Sequence, residues 1–231
     1  MADTTLPKTD SVFEYRGVDN LYYAEITSDT AGTSGKYEVG TPQKLAYVAE
    51  IGKTVETNSE TKYYDNKPMI VLNSEGATTL TITCAPLPLD VLATVTGKKY
   101  DTTNHALYEN VRDYKSFALG YRTRDTRGKY RYVWHLKGSF GVPDETFATE
   151  NAGTDTNNMT LTFTSIMTEH EFTTDSIGSV KSVVINGGTG NTTTDASDTS
   201  INKNVTVENF FKAVITPDNI ATQIVASTTT T

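Results

Sequence analysis

From Tyr130 to Phe140 the chain alternates: Tyr130, Tyr132, Trp134, Leu136 and Phe140 take every other position, Gly138 excepted. Arg131, His135, Lys137 and Ser139 stand between them. Successive side chains of a strand point to opposite faces, so the pattern predicts aromatics toward a core and charges, a solvated or interface histidine and a hydroxyl outside. Phe117, Leu119 and Tyr121 repeat the design, and Arg124-Asp125-Thr126-Arg127-Gly128 supplies a turn, so residues 117–140 predict one long β-hairpin.

The same alternation predicts most of the remaining elements. Leu21, Tyr23 and Ile26 mark a first strand over 20–28, followed by a Gly/Ser/Thr loop over 29–42. The longest strand, 44–58, places Leu45, Tyr47, Ala49, Ile51 and Val55 on one face and Glu50, Gly52, Thr54, Glu56 and Asn58 on the other. A polar tip near Ser59 is expected to turn it back through Tyr63 and Tyr64 toward Met69–Leu72, and Asn73-Ser74-Glu75-Gly76 reads as a further turn. Leu80, Ile82 and Cys84 alternate with Thr79, Thr81 and Thr83, and Met159, Leu161 and Phe163 with Thr160, Thr162 and Thr164. A helix is predicted from Pro88 to Thr96, with Pro88 suited to the first turn and Gly97 to the stop. Beyond His170 the composition changes. A short strand at Val183–Ile185, a low-complexity linker at 187–204 and a short helix at 207–214 are expected there.

Composition sharpens this all-β reading. The chain has 42 threonines among 231 residues, β-branched side chains that suit the exposed faces of strands. A formal charge of -8 argues against a surface built to hold nucleic acid or anionic membrane, which requires clustered Lys and Arg. Cys84 is the sole cysteine, so no internal disulfide exists and a small core residue is expected. The N-terminal residues carry neither a basic nor an apolar leader region, and no apolar run nears the roughly 20 residues of a membrane span.

Reaction chemistry finds no foothold in the sequence. His105, His135 and His170 lack metal-ligand spacing. Gly32-Thr33-Ser34-Gly35-Lys36-Tyr37 misses the first glycine and the hydroxyl of a phosphate loop, and Asp155-Thr156-Asn157 lacks the central glycine of a calcium loop. The expectation is a protein with no catalytic residues, no metal and no cofactor. Glu50, Glu56 and Glu60 line one strand face and its tip, as either a solvated face or a surface whose negative charge has a task.

Several runs carry a resemblance. Glu14-Tyr15-Arg16-Gly17-Val18, Lys62-Tyr63-Tyr64-Asp65-Asn66-Lys67-Pro68 and Leu72-Asn73-Ser74-Glu75-Gly76 resemble the major tail proteins of siphophages, the long-tailed, non-contractile bacteriophages, of Gram-positive hosts. So do Phe117-Ala118-Leu119-Gly120-Tyr121-Arg122-Thr123, Gly128-Lys129-Tyr130-Arg131-Tyr132-Val133-Trp134 and Phe140-Gly141-Val142-Pro143-Asp144-Glu145. The resemblance implies a mainly β protein, an antiparallel β-sandwich or barrel with one flanking helix. The resemblance spans about residues 12–170; with the lack of periodicity before Asn20 and the change of composition beyond His170, the chain is expected to divide into an N-terminal arm (1–19), a tail-tube body (20–170) and a C-terminal extension (171–231). Some relatives carry an immunoglobulin-like domain at that end; such domains need about 100 residues, so an arm is expected here.

The resemblance also implies function. Six copies would form a ring, and rings would stack helically into a hollow tail tube that conducts double-stranded DNA. Partners would be the chain itself, a tape measure protein and transient DNA in the lumen, and tail terminator and distal tail proteins at the ends, with no membrane binding. The location would be the virion tail, after synthesis in the bacterial cytoplasm. Glu50, Thr54 and Glu56 are expected to face the bore, with the Thr79/Thr81/Thr83 and Thr160/Thr162/Thr164 faces as rivals. Glu60, Tyr63, Tyr64, Asp65 and Asn66 are expected to contact neighbouring subunits or rings, as are the N-terminal arm, the 29–42 loop and the tail. The alternatives are an acidic, threonine-rich surface or adhesion module and an auxiliary capsid protein.

Overall fold

The computed structural model of the protein describes residues 12–147, 149, 157–190, 195 and 198–225. Eleven strands appear among them: β1 (Tyr15–Asp29), β2 (Tyr37–Val39), β3 (Gln43–Ala46), β4 (Val48–Tyr64), β5 (Lys67–Cys84), β6 (Lys99–Asp101), β7 (Ala106–Tyr108), β8 (Phe117–Asp125), β9 (Tyr130–Phe140), β10 (Met159–Ile166) and β11 (Ser182–Asn186). The helices are α1 (Leu89–Thr96), α2 (Val207–Lys212) and α3 (Ile220–Gln223). Nine strands form one antiparallel sheet in the order β2-β1-β8-β9-β10-β5-β4, with β3 on β1 and β11 on β9; β6 and β7 pair separately. Only Tyr47 separates β3 from β4. Since β3 bonds to β1 and β4 to β5, the sheet curls over its interior without completing a barrel. This is the expected mainly β, sandwich-like architecture.

Two cores lie on opposite sides of the curled sheet. The first gathers Leu21, Leu80, Ile82, Cys84, Leu119, Phe140, Leu161 and Phe163 under Leu92 and Val95 of α1. Gly97 ends that helix at φ 66°, and its Cα lies so close to Asp113 that a Cβ would stand 1.9 Å from the Asp113 carbonyl oxygen. The second core sets Ala24, Ala118, Tyr132, Trp134 and Leu136 against Phe210, Phe211, Val214, Ile215 and Ile224. Trp134 is fully buried, and its Nε1–H donates to the Phe210 carbonyl oxygen at 3.1 Å. The segment beyond His170, expected to be an arm, therefore packs on the sheet through aromatic side chains. Within the expected linker, Asp195 is buried and accepts N–H bonds from Thr189 and Gly190; its residues 191–194, 196 and 197 lie outside the described residues.

Having a core on each side corrects the expectation of a polar outer face on β9. Leu119 pairs with His135 and Phe117 with Gly138, so two residues of β8 span three of β9, a β-bulge. Before the bulge Val133 and His135 point to the first core while Tyr132, Trp134 and Leu136 point to the second; after it Phe140 points to the first. His135 is 1% exposed, stacked on Tyr121 and edge-on to Phe163, not solvated.

Two further expectations change. β1 begins at Tyr15, inside the stretch expected as an N-terminal arm, because Tyr15 and Val18 pair with Asp125 and Thr123 of β8; residues 1–11 of that stretch lie outside the described residues. The tip near Ser59 and the turn at Asn73–Gly76 are replaced by one long hairpin. Ser59 and Asn73 sit opposite each other in mid-strand, and the chain reverses at Asp65-Asn66, both with positive φ as a two-residue type I′ turn needs.

Candidate functional site

Register assembles one broad polar face. Directly paired residues of antiparallel strands share a face. Glu50 pairs with Thr83 and Thr83 with Thr160; Gly52 with Thr81 and Thr81 with Thr162; Thr54 with Thr79 and Thr79 with Thr164. Thr164 pairs in turn with Ser139 of β9. The three threonine-bearing faces that the sequence left as rivals are therefore a single grid across β4, β5 and β10. Alternation explains why: Ile51, Ile82 and Leu161, one residue along, turn to the first core. No lysine or arginine stands in these rows; Glu50 carries a formal negative charge at one end, and an isolated bridge sets Asp144 beside Thr160 at the other.

Beyond the grid the β4–β5 pair leaves the sheet as a two-stranded ribbon. Val55 pairs with Thr78 and Thr57 with Glu75, so β5 bulges at Gly76 and Ala77. A Cβ at Gly76 would stand 2.7 Å from Glu56 Oε2, the end of an exposed side chain free to swing aside. Past this bend β10 no longer accompanies β5, leaving both ribbon edges unpaired among the described residues. Parity along β4 carries Glu56 and Glu60 on the grid side. Glu60 is ion-paired to Lys62, and Tyr63 and Tyr64 immediately precede the Asp65-Asn66 turn, 66% and 56% exposed. Met69, Ile70, Val71 and Leu72 are also exposed, an apolar run on a ribbon too thin to bury it alone.

A third feature is an opening of about 560 Å³ directly above the first core, missed by sequence reasoning because it exists only through the curl of the sheet. Tyr121 and Val133 form its floor, Val18 and Ile51 its walls, and Lys53 and Arg131 reach its rim together with Glu50. Below it His135 bonds Ser165 Oγ through Nδ1 at 3.1 Å, while Nε2 has no partner. Burial, with Lys53 and Lys181 nearby, pushes the His135 pKa down to about 4.

The 29–42 loop is held at home. Burial pushes the Asp29 carboxyl up, but N–H bonds from Glu169 and His170 and the Lys137 ammonium at 2.7 Å outweigh it and hold the carboxyl below its usual range. Tyr37 of that loop donates its hydroxyl to the Leu136 carbonyl oxygen, and Tyr37 and Val39 pack on the second core. Of the segments expected to reach outward, the hairpin end is thus the one that extends from the sheet without a second layer among the described residues.

A family model described as phage tail tube protein matches residues 23–181, from β1 through the grid and both ribbon strands to the foot of β11. No curated protein matches the chain.

Proposed function

Because the chain belongs to the phage tail tube protein family, a family of structural tail proteins, we propose that it is the ring subunit of a long non-contractile tail. Six copies close into a ring, and rings stack helically into a hollow conduit for double-stranded DNA. The observation that carries this reading is the threonine grid. Duplex DNA bears one negative charge per roughly 1.7 Å of axis, so a bore lined with lysine and arginine would hold it at each step. A lining of hydroxyls with sparse carboxylates, Glu50 and Thr54 in the grid and Glu56 at its border, offers phosphate no cationic site to hold it.

The unpaired ribbon edges support the assembly step. Exposed strand edges template pairing with another chain, and closing a sheet through neighbours removes them. Glu60, Tyr63, Tyr64, Asp65 and Asn66 then lie at contacts between copies, and the tape measure, terminator and distal proteins would meet the same surfaces at lumen and ends. Electron microscopy of concentrated purified chain tests the reading: rings or hollow rods are expected, whereas a preparation that stays monomeric at every concentration contradicts it.

A further inference from the structure

We propose that the Asp65-Asn66 tip of one copy's ribbon seats in the opening above the first core of a second copy. The inference rests on the self-assembly reading and names the contact that makes it. Three observations on the molecule point to this pairing. First, the opening reaches down to residues of the first core, Tyr121 and Val133, and its volume lies within the roughly 300–1,000 Å³ of side-chain-lined binding cavities. Second, the tip presents what such a floor lacks: Tyr63 and Tyr64, two exposed aromatics beside a narrow two-residue turn. Third, the charges match. Lys53 and Arg131 make no salt bridge among the described residues; Lys53 acts on the Glu75 carboxylate only at a distance, and Arg131 donates to Asn186 Oδ1 and the Tyr15 hydroxyl. With Glu50 they leave the lining of the opening net positive, while Asp65 at the tip carries a negative charge.

The tip of an extended ribbon lies well beyond its own copy's opening. The ribbon leaves the sheet past the Val55–Thr78 pair, next to Ile51 and Lys53, which line the opening. The eight residues from Thr57 to Tyr64 then carry the tip about 26 Å onward at 3.3 Å per residue. Tip and opening are different surfaces, so the contact is heterologous: each copy offers one of each, and the series either closes as a ring or continues. Seating the tip would place Tyr63 and Tyr64 against Tyr121 and Val133, and Asp65 beside Lys53 and Arg131.

The test uses full-length chains with a cysteine at either partner position; native Cys84 is fully buried and does not compete. Asp65→Cys and Lys53→Cys chains are mixed, allowed to assemble and treated with a short thiol-reactive cross-linker. A heterodimer several-fold above that from either variant alone is expected. In unmodified protein, amide hydrogen exchange over residues 49–53 and 63–67 should slow together on assembly. Tubes that form without the heterodimer and without joint protection overturn the inference and leave the tube reading standing. Preferential capture of Lys53→Cys by Asp3→Cys also overturns it, since the opening would then hold an N-terminal segment. If unmodified chain forms no tubes at all, the tube reading itself falls, and the inference with it.

Discussion

Lys181 Nζ lies 2.7 Å from Glu75 Oε1 and 2.7 Å from the Gly76 carbonyl oxygen, tying the foot of β11 to the bend where the ribbon leaves the sheet. Lys181 is 10% exposed at its side chain, and Glu75, though in water, is held below the usual carboxylate range by this hydrogen bond and charge. The pair braces the angle of the ribbon more than the fold itself. Lys181→Ala should leave the melting temperature nearly unchanged yet speed amide exchange across 57–75 and slow tube growth. Unchanged exchange in that variant would mean the brace is idle.

His135 gives the protein a pH response. Its folded pKa of about 4 lies below the 6.5 of an unfolded histidine, so between those values the unfolded chain binds the extra proton. Stability therefore declines as pH falls from about 6.5 to about 4 and this contribution is spent below. The shift corresponds to about 3 kcal/mol at its fullest. Urea unfolding from pH 7 to pH 4 should show the decline, and His135→Gln should flatten it. Equal slopes for the two proteins would place the pH dependence elsewhere.

Phe210 is fully buried against Trp134 with ring centroids 6.2 Å apart. Removing such a ring leaves a cavity, and Phe210→Ala should cost about 3–5 kcal/mol. Trp134 fluorescence should shift to the red in the folded variant as its partner is lost. A variant as stable as the parent would show that the C-terminal segment hangs free of the body.

The grid predicts a transport phenotype separate from folding. Thr162 is half-buried in the middle row, and Glu50 and Glu56 are exposed on the same side. Glu50→Lys, Glu56→Lys or Thr162→Lys phage should build tails of normal length and eject DNA more slowly, with greater delay at low salt where charge is less screened. Normal ejection kinetics from intact tails of all three would remove the grid from the bore.

Much of this was legible in the residues. Strict alternation in β10 and in Leu80–Cys84 gave both the inward set and the threonine face, because each strand keeps one face on the first core. What alternation lacks is register, so the three threonine runs could not be joined into one surface before the pairs Thr81–Thr162 and Gly52–Thr81 were seen. Period-two reading also assumes an unbroken pleat. One extra residue in β9 moved Phe140 to the other core from Trp134, and a bulge at Gly76 looked like a turn. The second core escaped notice because its halves, Trp134 and Phe210, are separated by a Gly/Thr/Asp/Ser stretch whose composition suggests nothing packed beyond it. Tyr63, Tyr64, Asp65 and Asn66 are expected from the sequence as contacts to neighbouring subunits or rings, and the structure sets them together at the hairpin end.

The double burial of β9 has a consequence for variation. From Tyr132 to Leu136 all five side chains are enclosed, alternately by one interior and the other, so this segment has no position where a change of size or polarity goes unfelt. Drift among relatives, and grafts chosen by an engineer, should gather instead along the ribbon and the outer ends of the strands. There a new side chain meets water and leaves the molecule's own interior undisturbed.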